Sequence, residues 1–191
     1  MTSDRKNWVF SSSADPGLIR IPPKGKIRLS VPMRVQGQNP ICWIACASMI
    51  LSYKGKASIG IGSFTGGFDP SNSSIPNPVT SWVNYYRILS MYGFANVNPF
   101  PNRSPEAGYI LDLLRRHGPW MLAHYTSNLF LGTFNPDSAH AIVITGIDTK
   151  TNKVWFNNPW GRIDDVTTAN KILFAMENLL KRGIRSVAYM P

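Results

Sequence analysis

Between Ile41 and Tyr53 almost every residue is apolar or small, running Ile-Cys-Trp-Ile-Ala-Cys-Ala-Ser-Met-Ile-Leu. A helix that is apolar on all sides has no face for water, so the rest of the fold must wrap it. The run follows Asn39-Pro40, which starts the helix there and puts Cys42 at or near its N-terminus. It is too short to span a bilayer. With 191 residues, 43% of them apolar, the chain can bury one good core around such a helix but not two.

The flanking sequence supplies the wrapping. Residues 1–26 are polar and read as an N-terminal arm, leaving 27–191 as a single domain. Ile27 to Val31 alternates apolar with polar, as a strand does, and Gln36 to Pro40 reads as a loop. Residues 54–77 are rich in Gly, Ser, Asn and Pro and form a second, long loop. Pro78 to Tyr92 is expected to be helical. Ser104-Pro105-Glu106 reads as a helix start with Ser104 as cap, and Gly118 ends that helix. Pro119 to Tyr125 reads as a strand. Ala139–Ile147 and Lys153–Asn157 form a hairpin across Asp148–Asn152. A helix capped by Thr168 or Asn170 and a last strand over Arg185–Met190 close the chain. Helices first and antiparallel strands later define an α+β domain.

A thiol at a helix N-terminus can be held as thiolate by the helix dipole and the free N–H groups. Cys42 has that place, and Cys46 lies one turn deeper as inert packing. A disulfide across one helical turn is geometrically poor, so both read as thiols, which suits a reducing cytosol. Two cysteines with no His-x-x-x-His pair make no zinc site, and no metal or cofactor is expected.

A nucleophilic thiol needs a base, and there are three histidines. His117 ends a helix beside Arg115 and Arg116, and His124 sits late in a strand. His140 opens an apolar strand, where it can face a cleft. The hairpin returns Asn157 or Asn158 to the same end, as an acceptor for the second imidazole nitrogen. Asn158 is favoured because Pro159 fixes the chain, and Trp160 could shield the bond from water. An oxyanion hole needs the Cys42 N–H plus one amide, from Gln36 or Gln38.

Gln36-x5-Cys42-Trp43-x-Ala45, then His140, then Asn158-Pro-Trp-Gly resembles the papain-like cysteine proteases, most of all their small bacterial effector branch. The resemblance implies a helical lobe centred on the Cys42 helix, packed on an antiparallel sheet lobe. It selects Gln36 over Gln38 and Asn158 over Asn157, and it places Trp43 and Trp160 against substrate. It further implies injection into a recipient cell's cytoplasm. The polar start, MTSDRKNWVFSSSADPG, has no apolar stretch of signal-peptide length, which is consistent with such a route. Two other enzyme classes share this residue set, a peptidoglycan or isopeptide amidase and a transglutaminase or deamidase. A non-catalytic binding module is the third alternative.

The net charge is +10, with basic pairs spread along the chain and no nucleic-acid motif. A protein substrate, acidic or nucleic-acid-associated, fits better than nucleic acid itself or a membrane. An inhibitor protein made by the producing cell is expected to be acidic.

Overall fold

The computed structural model describes residues 24–36, 41–56, 89–97, 106–125, 139–181 and 187–191. Seven strands in these segments form one antiparallel sheet. They are β1 (Lys26–Arg28), β2 (Ala95–Val97), β3 (Trp120–Tyr125), β4 (Ala139–Asp148), β5 (Lys153–Asn158), β6 (Arg162–Thr168) and β7 (Val187–Tyr189). Their order is β2-β7-β3-β4-β5-β6, with β1 added against the far half of β4. Three helices pack on it: α1 (Cys42–Tyr53), α2 (Ala107–His117) and α3 (Ala169–Lys181).

Strand alternation divides the core in two. Met121, Ala123, Ala141, Val143 and Ala188 turn to one face of the sheet and pack with the apolar α1. Trp120, Leu122, Ile142, Ile144, Phe156 and Val187 turn to the other face and pack with α2 and α3. The fold is α+β as expected, and the sheet lies between α1 on one side and two helices on the other. Burial of α1 follows from its composition: Trp43 to Leu51 are all buried, so it has no amphipathic stripe.

Several boundaries differ from the sequence reading. β1 begins at Lys26, one residue early, and ends at Arg28. Gly25 is already tied to the sheet: its N–H donates to Thr149 Oγ1, and its carbonyl accepts from the Thr149 N–H. Gly25 and Lys26 are thus tied to the sheet. α2 opens after Glu106, which is extended. Ser104 and Pro105, the expected cap and first residue, lie outside the described residues, as do residues 57–88 and Gln38. Thr168 is the cap of α3, its Oγ1 accepting from Lys171 N–H at 3.4 Å.

The register of β4 on β5 slips between Ile144 and Gly146. The bulge reverses the alternation, so Ile144 and Ile147 both reach the α2–α3 core. It also places Gly146 beneath β1. A Cβ there would lie 2.7 Å from Ile27 O and 3.0 Å from Arg28 Cα, both backbone atoms that cannot swing aside. Gly146→Ala should push β1 off the sheet and cost about 1–3 kcal/mol. A melting curve should then show a loss of roughly 2–10 °C; an unchanged midpoint would mean that β1 contributes nothing to stability.

Candidate active site

Cys42 is the first residue of α1, and the helix delivers it to the start of β4. Its thiol is packed among apolar neighbours, and that burial pushes its pKa up to about 11. The backbone N–H groups of Ala141, Trp43 and Cys42 itself act in the opposite direction, favouring thiolate. The Ala141 contact sets the sulfur beside the residue that follows His140. Cys46 is fully buried one turn on, and that burial, with Cys42 nearby, raises its thiol well above the ordinary range. Both cysteines are free thiols. The expected helix-terminus effect is present, but desolvation outweighs it in the resting site.

His140 opens β4 with 3% of its surface exposed. Its Nε2 lies 3.0 Å from Asn158 Oδ1. The same oxygen accepts the Trp160 backbone N–H at 3.2 Å, which fixes the orientation of the amide. The imidazole must then carry its hydrogen on Nε2, leaving Nδ1 as the basic nitrogen. Burial lowers the His140 pKa to about 4, and the Asn158 bond opposes that shift. His140 therefore takes a proton only as pH falls through about 4, while the Cys42 thiol ionises unaided only at about 11, so the two together hold one proton in between.

The turn after β5 assembles the rest. Asn158 O accepts Gly161 N–H at 3.0 Å, and Gly161 sits at φ 100, where only glycine is unstrained. The turn folds Trp160 over His140, stacked at 3.9 Å between centroids and 18° between planes. It also turns the Pro159 carbonyl to Gln36, whose backbone N–H donates to it at 2.9 Å. Gln36 is thus pinned beside the His140–Asn158 pair, although it is more than a hundred residues away in sequence. If its side-chain amide supplies an oxyanion donor, Gln36→Ala should lower kcat by about 10²–10³-fold with little change in KM. A fall confined to KM would assign it to substrate binding instead.

Trp43 is 4% exposed and packs in the core around α1, as its place in an apolar run dictates. Asn157, the rejected neighbour of Asn158, is structural. Its Nδ2 donates to Val31 O at 3.0 Å and its Oδ1 accepts Asp164 N–H at 3.3 Å. His124 is a further member of the site's surroundings. It pairs with His140 across β3–β4, fully buried, with ring centroids 5.7 Å apart and planes at 88°. By sequence His124 falls late in a strand with no assigned partner strand, so the contact is not legible there.

A partly exposed thiol on a helix N-terminus, set against a sheet-borne imidazole that an amide orients, is the arrangement of a thiol hydrolase. The chain belongs to the family described as papain-like cysteine protease AvrRpt2, whose model matches residues 25–171, and it is a cysteine peptidase of papain-like fold. Among solved structures, one from work on antibody cross-reactivity between the mite allergens Blo t 1 and Der p 1 matches at TM-score 0.48 and 14% identity. That match covers 93% of this chain and 74% of the other. No curated protein sequence matches.

Proposed function

We propose that this protein is a translocated bacterial effector endopeptidase that cleaves a protein in the recipient cell's cytoplasm, with Cys42, His140, Asn158 and Gln36 as its catalytic set. The observation that carries the proposal is the His140 Nε2–Asn158 Oδ1 bond, with the amide oriented by Trp160 N–H, at the strand end where the Cys42 sulfur meets Ala141 N–H. In the acylation step the Cys42 proton passes to His140 Nδ1 and the sulfur attacks the scissile carbonyl carbon. The oxyanion is held by Cys42 N–H and the Gln36 amide. His140 returns the proton to the leaving nitrogen, the C–N bond breaks, and an acyl-enzyme remains. Water, deprotonated by His140, then releases the acid and restores the thiol. Asn158 keeps Nδ1 directed at the sulfur throughout, and Trp160 covers the imidazole from solvent. Residues 27–191 act as one catalytic unit in this reading, and 1–26 as an arm whose last residues join the sheet. An inhibitor protein from the producing cell would be acidic, to match the +10 charge.

The test is to express wild type and Cys42→Ala in a bacterial cytosol and compare new protein N-termini by mass spectrometry. We expect a small set of cleavages present only with wild type. No difference between the two would reject the endopeptidase reading in favour of an amidase or acyl-transferring activity on the same residues.

A further inference from the structure

The half of the sheet's α1 face farthest from His140 carries a cluster of cations that the catalytic set does not use. Trp155 lies between Val154 and Phe156, which both turn to the α2–α3 core, so its ring turns to the opposite face. Over that ring stand Lys26 Nζ at 5.3 Å, Arg28 at 5.3 Å and Lys153 Nζ at 5.1 Å from the centroid. Their stems cover the indole, which is only 6% exposed. Gly146 is cross-strand to both Trp155 and Arg28, and a Cβ there would also meet Trp155 Cε3 at 3.2 Å. Glycine thus leaves room for the indole over β4.

Three like charges gathered on one ring repel one another, and the counter-charges nearby are largely engaged. Asp164 pairs with Arg28 at 2.6 Å. The Asp148 carboxylate, cross-strand from Lys26, accepts the Lys150 and Thr151 N–H groups of the turn. Neither lysine has an ion pair within 4 Å among the described residues, although Lys26 is near enough to Asp148 to favour its carboxylate. Val166, cross-strand from Trp155 and 51% exposed, adds an apolar neighbour to the cations.

We propose that this surface, Lys26, Arg28 and Lys153 about Trp155 with Val166 beside them, is an exosite for a short acidic stretch of the protein substrate. The proposal rests on the endopeptidase reading and deepens it. An acidic peptide fits better than a nucleic acid: the indole is covered and offers no face for base stacking. Gly146 is six residues along β4 from His140, about 20 Å at strand rise. A bound substrate must bridge that span, so its acidic stretch lies at least about six extended residues from the scissile bond.

The test uses a fluorescein-labelled hexaglutamate peptide, read by anisotropy in about 0.15 M salt. Wild type and Cys42→Ala should bind it equally, and the affinity should fall as salt rises. Lys26→Glu with Lys153→Glu should weaken binding by about tenfold or more. Lys26→Gln with Lys153→Gln, which keeps the stems over Trp155, should give a smaller loss and controls for folding. Iodoacetamide labelling of Cys42 should be unchanged in both double variants. Peptide affinity that ignores the reversals would overturn the exosite, as would a patch-dependent preference for duplex DNA or phosphatidylserine vesicles. Failure of the catalytic reading would appear separately, as wild-type proteolysis that does not depend on Cys42.

Discussion

Iodoacetamide should alkylate Cys42 at a rate that is nearly flat between about pH 5 and 9, and His140→Ala should lower that rate by at least about 10²-fold at pH 6. The sign follows from burial. His140 is held down to about 4, so it is a neutral base throughout that window and takes a proton only as pH falls through about 4. The Cys42 thiol is pushed up to about 11, so it ionises unaided only near that value. Between those limits the pair holds one proton, and a change of pH does not alter its charge. Reactivity should therefore collapse below about pH 4. Without the imidazole, a thiol raised to about 11 has no base to relieve it, and its labelling should climb only as pH approaches that value. A His140→Ala variant that reacts as wild type does at pH 6 would separate Cys42 from His140 and dismantle the site.

The two adjacent asparagines should differ in their effect on catalysis. Asn158→Ala removes the acceptor from His140 Nε2 and leaves the imidazole free to swing or change tautomer. We expect kcat to fall by about 10²-fold with KM close to wild type, together with some loss of stability, because His140 Nε2 and the Trp160 N–H lose a buried acceptor. Asn157→Ala instead strands the buried Val31 carbonyl and removes the acceptor of the part-buried Asp164 N–H. The buried loss alone costs about 1–3 kcal/mol, so the melting point should drop by roughly 2–12 °C. The Val31 tie also leads into the segment that ends at Gln36, so residual activity should be thermally fragile rather than chemically impaired. If Asn157→Ala is the slow enzyme and Asn158→Ala the fast one, the assignment is inverted.

That contrast shows where the sequence was legible. The all-apolar run from Ile41, the proline before it and the hairpin signal at Asp148–Asn152 each follow from local chemistry, and they located α1, Cys42 and the β4–β5 pair. Strand periodicity could not separate Asn157 from Asn158; Pro159 and Trp160 favour Asn158, and the family spacing selects it. Three features needed tertiary information. β6 is an edge strand reading Arg-Ile-Asp-Asp-Val-Thr-Thr, whose charges mask any alternation, and β2 is only three residues long. The slip between Ile144 and Gly146 reverses the face of every later β4 residue and leaves no mark beyond a glycine. The fate of Trp43 and the titration of Cys42 and His140 depend on burial, which only the packed fold determines.

The central claim is that Cys42, activated by His140, is the nucleophile of a peptidase. An electrophilic peptide carrying an epoxysuccinyl group tests it most directly, because the group alkylates a thiolate that is positioned as it would be for attack on a carbonyl. Intact-mass analysis and peptide mapping should find one adduct per chain on Cys42, none on Cys46, and none on either cysteine in His140→Ala. An unmodified wild-type protein, or an adduct that forms equally well without His140, would contradict the account.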